Sequence, residues 1–589
     1  MKEKTQVYNI VLFKRLLNYV SPYKLFLSIC IFSVLGLSIF GALRPVVLKK
    51  VVDENLTAQI SEGFLYYITI IGLLLILEVF SNYLFIYYAS WLGQSVVKDI
   101  RVKLFDHILN FKMKYYDKSS VGILITRTVT DMERIADIFG QGLFMILSDI
   151  LKMLIVGIVM ILMNWELSII VFFTLPIILI ATKIFQKYMK MAFDEVRTEV
   201  ANLNSFVQER VTGMKVLQLF AREEIEYLKF KEINERHKKA WLKTVWYNSI
   251  FFPVAEILSS LTLGVVVWYG GMNNILDETT SLGELTAFIM MIPMMFRPLN
   301  QIANKFNTLL MGMVAAERVF KVLDTDSNID ESGSKIANNL KGEIQFRNID
   351  FSYNKSQEVL KNISFDLKAG TTTAIVGATG AGKSTIINLI NRFYEINSGD
   401  ILIDGINIKE FTLSSLRDQI GFVSQDVHLF SDTILYNIAL NNKNISFDQI
   451  KMASVEIGIH EFIMSLPNGY NYDVRERGIM LSTGQRQLIS FLRAYVTDPK
   501  ILILDEATSS IDTDSEILIQ KAIEKMTDDR TSLVIAHRLS TIRNADNIIV
   551  INLGEIVEQG NHNDLLKING YYKKLYDSQL KNQEKNELD

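Results

Sequence analysis

The stretch GATGAGKST, Gly377 to Thr385, decides how the rest of the chain is read. Gly377, Gly382, Lys383 and Ser384 stand at the fixed positions of the phosphate-loop spacing G-x-x-x-x-G-K-[ST]. The flanks suit such a loop: TTTAIV (Thr371 to Val376) reads as a buried strand and STIINLINRF (Ser384 to Phe393) as a helix. Glycines let the backbone fold tightly round a phosphate, with successive N–H groups pointing inward at a helix N-terminus. Lys383 is expected to reach the β- and γ-phosphates, and the Ser384 hydroxyl to ligate Mg²⁺. Ala378, Thr379, Gly380, Ala381 and Thr385 fill out the loop around the same ligand. A chance glycine-rich turn is the competing reading, and the strand–loop–helix setting argues against it. The expected ligand is a nucleoside triphosphate.

Downstream, ILILDE (Ile501 to Glu506) is a run of aliphatic residues ending in two carboxylates. It reads as a buried strand that delivers acids to its C-terminal end, where α/β sheets bind ligands. Asp505 is expected to hold Mg²⁺ through water and Glu506 to polarise the attacking water as general base. Upstream, IQFRNIDFSYNKSQEVLKNISFDL (Ile344 to Leu367) alternates like an antiparallel sheet. Tyr353, as an exposed aromatic there, can stack on a flat base; most strand tyrosines are packing residues.

At 589 residues the chain is too long for one core. A net charge of −3 argues against nucleic acid as the main partner. The single cysteine, Cys30, lies in an apolar run, so no intramolecular disulfide forms. The six histidines are scattered without metal-ligand spacing. The start, MKEKTQVYNI, has the pattern of neither a signal peptide nor an Arg-rich transit peptide. Long apolar runs all fall before about Leu323, and the polar stretch DTDSNIDESGSK (Asp324 to Lys335) separates them from strand–helix alternation. The expected organisation is an α-helical six-span transmembrane domain over 1–325, a linker over 326–340, an α/β phosphate-loop nucleotide-binding domain over 341–580 and a polar tail over 581–589.

Ile10 to Tyr23 mixes apolar and basic residues as an interfacial helix does. Spans are expected at Leu25–Leu43, Phe64–Leu92, Ile146–Met163, Leu167–Phe185, Ile250–Trp268 and Leu285–Phe296, the last only about half the usual crossing length. The third and fourth form a hairpin through Asn164–Trp165–Glu166. The long segments after spans two and four carry many basic residues, among them Lys98, Arg101, Arg127, Lys183 and Arg197. By the positive-inside rule those segments and both termini face the cytoplasm, with Lys49 and Lys50 against the trend. Helical periodicity, as in VVKDIRVKLFDHIL (Val96 to Leu109), extends spans two to five well beyond the membrane. Asp149 and Lys152, three residues apart, are expected to neutralise one another. Glu78, Glu256 and Arg297 sit deeper, as pathway residues for a substrate or as partners inside the bundle.

Between the two nucleotide motifs lies LSTGQRQ, Leu481 to Gln487. Its Ser-x-Gly-Gln resembles the signature of the ABC (ATP-binding cassette) ATPase superfamily. The resemblance extends to Gln425 in GFVSQDVHLF, to ATSSID (Ala507 to Asp512), to His537 in IAHRLST and to RERG (Arg475 to Gly478), the last similar to an element of exporters. It covers the first half as well, where YYDKSSVGILITRTVTDMERI (Tyr115 to Ile135) and NSFVQERVTGMKVLQLFAREE (Asn204 to Glu224) resemble the two segments that carry coupling helices. The chain thus resembles an ABC exporter half-transporter, of the type that moves drugs or lipids.

The resemblance implies ATP and Mg²⁺ as cofactors, Tyr353 on the adenine, and Gln425 as a further Mg²⁺ ligand. Gln425 and His537 would act beside the catalytic Glu506, and Asp512 would lie in a dimer-interface loop. It also implies an obligate dimer in which Leu481, Ser482, Thr483, Gly484 and Gln485 act on the partner's ATP. Thr483 departs from the family's glycine, and a β-branched residue there restricts close backbone approach. One subunit of certain heterodimers carries an altered signature but keeps the glutamate, so a heterodimer is favoured over a homodimer. The expected activity is ATP-driven export or flipping of a hydrophobic or amphipathic molecule (a drug or a lipid) among membrane lipids in a bacterial inner membrane. The alternatives are an ATP-gated channel or regulatory protein, or an importer on the same scaffold.

Overall fold

The computed structural model describes residues 10–276, 280–327, 329, 333–354, 357–505, 513–535 and 542–586. They fall into two compact units. One holds the chain up to Leu109 together with Ser120–Asp326; the other holds everything from Ser327 onward and also Asn110–Ser119.

The first unit is helical: α1 (Ile10–Asn18), α2 (Lys24–Lys50), α3 (Phe64–Leu109), α5 (Val121–Thr128), α6 (Thr130–Asp137), α7 (Phe144–Met163), α8 (Trp165–Thr212), α9 (Met214–Leu219), α10 (Glu223–Leu276) and α11 (Leu282–Leu323). The second unit contributes α4 (Met113–Lys118). Among the described residues six helical segments are long and apolar enough to cross a membrane. Helices α3, α8 and α10 run for 46, 48 and 54 residues. At 1.5 Å per residue each is roughly 70–80 Å long, more than twice a bilayer's hydrocarbon core. Their outer faces carry exposed Leu65, Ile76, Phe173 and Trp268, as lipid-facing helices do. Inside, Val156, Met160, Val171, Val266, Phe288 and Met291 form one packed cluster. Prolines 176, 253, 293 and 298 lie within α8, α10 and α11 without ending them.

Polar pairs fix the helices to one another. Asn164 alone separates α7 from α8, a tighter link than the three residues expected, and its side chain accepts the Leu167 N–H at 3.1 Å. Lys49 is neutralised by Glu284 at 2.7 Å, which explains how a lysine sits against the charge trend. Asp149 pairs with Lys305, correcting the expected bond to Lys152. The reason is reach: a facing helix can present an ammonium end-on, whereas a neighbour on the same helix must bend back to the carboxylate. At the unit's other end Arg15 makes two 2.7 Å bonds to Asp324 and lies 4.2 Å over the Phe320 ring. Helix α1, expected to lie at the interface, is thereby tied to the end of α11.

The second unit is built on ten strands among the described residues: β1 (Ile344–Phe351), β2 (Leu360–Leu367), β3 (Thr372–Gly377), β4 (Ser398–Ile403), β5 (Ile406–Asn407), β6 (Ile420–Val423), β7 (Ile501–Asp505), β8 (Thr531–Ile535), β9 (Asn547–Asn552) and β10 (Glu555–Gly560). An antiparallel sheet has the order β2-β1-β4-β5, and a second sheet the order β10-β9-β3-β8-β7-β6. In the second, β6, β7, β8, β3 and β9 are parallel, and β10 joins antiparallel. The run ILIL is apolar throughout because both faces of β7 are covered. Ile501 and Ile503 enter the core shared with Phe346, Phe365 and Ile386, whereas Leu502 and Leu504 enter the one shared with Leu488 and Leu492.

A candidate nucleotide site

Helix α12 (Lys383–Ile390) starts directly beyond the C-terminal end of β3. The loop between them is fixed by steric demands that only glycine meets. A Cβ at Gly377 would lie 2.2 Å from the Ile551 carbonyl oxygen. Gly382 adopts φ +105°, in the left-handed region, where a Cβ would also approach Leu360 at 2.7 Å. The N–H groups that open α12 have no partner within their own helix and suit an anion.

Lys383 folds back over this loop. Its Nζ donates to the carbonyls of Gly377 at 2.7 Å and Ala378 at 3.0 Å, and the residue is 8% exposed. Burial pulls its ammonium below the ordinary lysine range, and the Asp505 carboxylate opposes that pull. Asp505, at the end of β7, is pushed up by burial; Lys383 and a hydrogen bond from the Ser384 hydroxyl hold it down, and Asp426 adds repulsion. The two charges are therefore both short of water and only partly compensated by one another. A triphosphate with a divalent cation would supply the missing compensation on both sides.

For Mg²⁺ the donor set fits. The Ser384 hydroxyl and the Asp505 carboxylate are already hydrogen-bonded, and hard oxygen donors of this kind suit a magnesium ion that keeps phosphate and water as co-ligands. Among the described residues no group of three or more His, Cys, Asp or Glu is placed to hold a metal by itself. Gln425 is exposed, two residues beyond β6, the strand hydrogen-bonded to β7. Its neighbour Asp426 went unnoticed in the sequence, although it directly follows the glutamine. Glu506, Asp512 and His537 lie outside the described residues.

Tyr353 is half-buried rather than exposed. Its hydroxyl lies 3.2 Å from both Thr385 Oγ1 and Asn388 Nδ2, on the first turns of α12, and its ring meets Phe351 and Tyr394 edge-on at 4.9 Å each. The expected stacking ring is thus packed and hydrogen-bonded to the phosphate-loop helix.

The signature opens a different helix, Thr483–Tyr495. Ser482 caps it: its Oγ accepts the Gln485 N–H at 3.2 Å while the Gln485 side chain accepts the Ser482 N–H at 2.9 Å. Leu481 and Gly484 are buried, Gln485 half-buried, Ser482 and Thr483 exposed. Thr483 takes no left-handed conformation, and its Oγ1 accepts a bond from Arg486 at 3.1 Å. Its backbone therefore tolerates a β-branched residue, and any obstruction it causes comes from side-chain bulk. Among the described residues no hydrogen bond joins the signature to the phosphate loop of the same chain.

The three candidate pathway residues stand apart. Glu78 faces Arg44 at 3.1 Å, so it is paired inside the bundle. Glu256 is exposed beside a groove along α10 that Ser260, Gly264 and Trp268 also line. Arg297 is exposed on α11 and has no ion-pair partner among the described residues.

Residues 27–299 match the ABC transporter transmembrane region and residues 360–509 the ABC transporter domain. The chain is 39% identical over 568 residues to the ABC transporter ATP-binding protein YknV of Bacillus subtilis (strain 168), covering 96% of this chain and 94% of that protein. It is 35% identical to an ATP-dependent lipid A-core flippase of Mannheimia succiniciproducens, covering 96% of this chain and 97% of the relative. A flippase of the same description from Escherichia coli (strain UTI89) is also 35% identical, over 96% and 98% of the two chains.

Proposed function

The chain belongs to the ABC transporter family as an exporter-type half-transporter, an ATPase coupled to transport, and on that premise we propose that it works as a dimer that flips or exports a lipid or amphipathic molecule by alternating access. One observation carries the dimer. The loop that can grip a triphosphate and the signature that would complete the grip open separate helices, so each chain holds half of two sites. ATP would lie between the phosphate loop of one subunit and the signature of the facing one. Lys383 would exchange the carbonyls of Gly377 and Ala378 for phosphate oxygens, and the helix opened by Ser482 would offer N–H groups to the γ-phosphate. Ser384 and Asp505, joined by Gln425, would hold Mg²⁺, which spreads the charge of the phosphates. Glu506, with Gln425 and His537, would direct the attacking water, and Asp512 would sit at the dimer interface.

Closure of the two sites would turn the spans from inward- to outward-facing, and the separated product charges would reset them. The names of the flippase relatives support a lipid as cargo. Arg297, unpaired among the described residues and exposed, suits an anionic head group better than Glu78, which Arg44 already neutralises. Thr483 supports a heterodimer with a second half-transporter whose normal signature meets this chain's phosphate loop. The distribution of basic residues supports the cassette and both termini on the cytoplasmic side, and the half-transporter layout and bacterial relatives support a bacterial inner (plasma) membrane. The deciding measurement is ATP-dependent movement of a fluorescent phospholipid between leaflets of reconstituted vesicles. Loss of that movement in Glu506→Gln is the expected result; undiminished flux in that variant would make the protein a channel and end the pump reading.

A further inference from the structure

We propose that His562 and Tyr572 form an acid-sensitive clip that holds the C-terminal helix, and with it the segment 542–545, on the cassette, and that protonation of the imidazole opens it. Two helices close the described chain, His562–Ile568 and Tyr571–Asn586. Asn569, at φ +57°, turns the backbone sharply between them. The second helix starts on Glu558 of β10, whose carboxylate accepts the N–H groups of Tyr571 and, at 2.9 Å, of Tyr572. A carboxylate there meets the positive end of the helix dipole, so the first turn is fixed and Tyr572 is delivered inward. Tyr572 is 1% exposed and shares one core cluster with Ile542, Ala545, Val534 and Leu565. Its hydroxyl lies 2.6 Å from Nδ1 of the half-buried His562. The Tyr576 ring, one turn further on, flanks the imidazole with centroids 5.2 Å apart.

A contact of 2.6 Å has the length of a bond donated by an O–H rather than by an N–H. Burial, with Tyr576 adding to it, pushes the Tyr572 phenol up to about 12, so it keeps its proton. The hydroxyl therefore donates, and Nδ1 is the unprotonated nitrogen that accepts. A second proton on the ring makes Nδ1 a donor as well. Two hydrogens then face one another, and a hydroxyl shut away from water loses its acceptor. The surroundings also oppose the charge: burial first, and Arg543 second, hold the imidazole below its ordinary range. Of the other charged groups on the elements around it, Glu558 is engaged by the helix N-terminus. Asp564, on the imidazole's own helix, accepts from Asn561 at 2.6 Å and lies 3.8 Å from Lys567. Lys573 and Lys574 of the C-terminal helix add only positive charge. Because the closed clip prefers the neutral ring, it holds fully above the ordinary imidazole value of about 6.5 and weakens as pH falls through and below it.

The test is hydrogen exchange on the full chain in lipid nanodiscs, without nucleotide, at about pH 7.5 and about pH 5.5, on either side of the ordinary imidazole value. Each rate is divided by that of the unstructured peptide at the same pH, which leaves the opening equilibrium. In the wild type, acid is expected to speed exchange several-fold at 571–578 and at 542–545 while 360–367, on β2, stays as it was. His562→Asn keeps an acceptor near the place of Nδ1 and does not titrate, so it is expected to stay protected at both pH values. Tyr572→Phe keeps the ring and loses the bond; it is expected to exchange faster at 571–578 at the higher pH and to show no acid response. An acid response in either variant equal to that of the wild type would overturn the clip. So would a wild type that does not respond, or one that responds at 571–578 and leaves 542–545 untouched.

Discussion

The phosphate loop and the signature each open a helix with N–H groups free to meet an anion, yet their surroundings differ. Around the loop, Lys383 and Asp505 are drawn out of water, held at raised electrostatic cost and aimed at one place. Around the signature, Ser482 and Thr483 are exposed, and their hydrogen bonds close locally on Gln485 and Arg486. The first is polarised toward a ligand; the second is a locally satisfied surface. In the proposed dimer, one cassette would therefore contribute a holder and a lid to different sites.

The largest effect that this contrast predicts is at the holder. Lys383→Ala and Glu506→Gln should each lower ATP turnover by about 100-fold or more, measured as phosphate release in lipid, and Lys383→Ala should also weaken nucleotide binding. A smaller, different loss is expected at the lid. Ser482→Asp keeps a good helix cap but sets a negative charge before the incoming phosphate, so turnover should fall about tenfold while ATP affinity at the same chain's loop stays unchanged. Equal loss of affinity in that variant would break the distinction between the two regions. Thr483→Gly should raise turnover no more than about two- to threefold, since the backbone already tolerates threonine and only bulk is removed. An increase confined to preparations containing a second half-transporter would sharpen the case for a heterodimer. Smallest of all, Thr483→Val loses the bond from Arg486 and should cost about 0.5 kcal/mol in the unfolding of the cassette, read from denaturation midpoints.

The holder was legible in the sequence because it is local: nine consecutive residues fix its glycines, lysine and hydroxyl. The acidic strand was legible for a similar reason, since an unbroken apolar run ending in a carboxylate requires cover on both faces. The spans were legible from length and apolarity, and the polar pairs among them were not. Asp149 finds Lys305, 156 positions away, and Lys49 finds Glu284, 235 away, partners that no local spacing proposes. Tyr353 was read as a free aromatic because nothing near it in sequence announces Asn388 or Tyr394. The bond between Thr483 and Arg486 spans only three residues, and helical spacing could have suggested it. Glu506, Asp512 and His537 rest on the sequence alone.

The assignment of Asn110–Ser119 to the cassette-bearing unit has a topological outcome. The polypeptide passes from one body to the other three times, between 109 and 110, between 119 and 120, and between 326 and 327. A single cut through 333–340 would thus not set the cassette adrift, because a ten-residue splice still anchors it. Covalent continuity between the two bodies thus runs through three crossings rather than one.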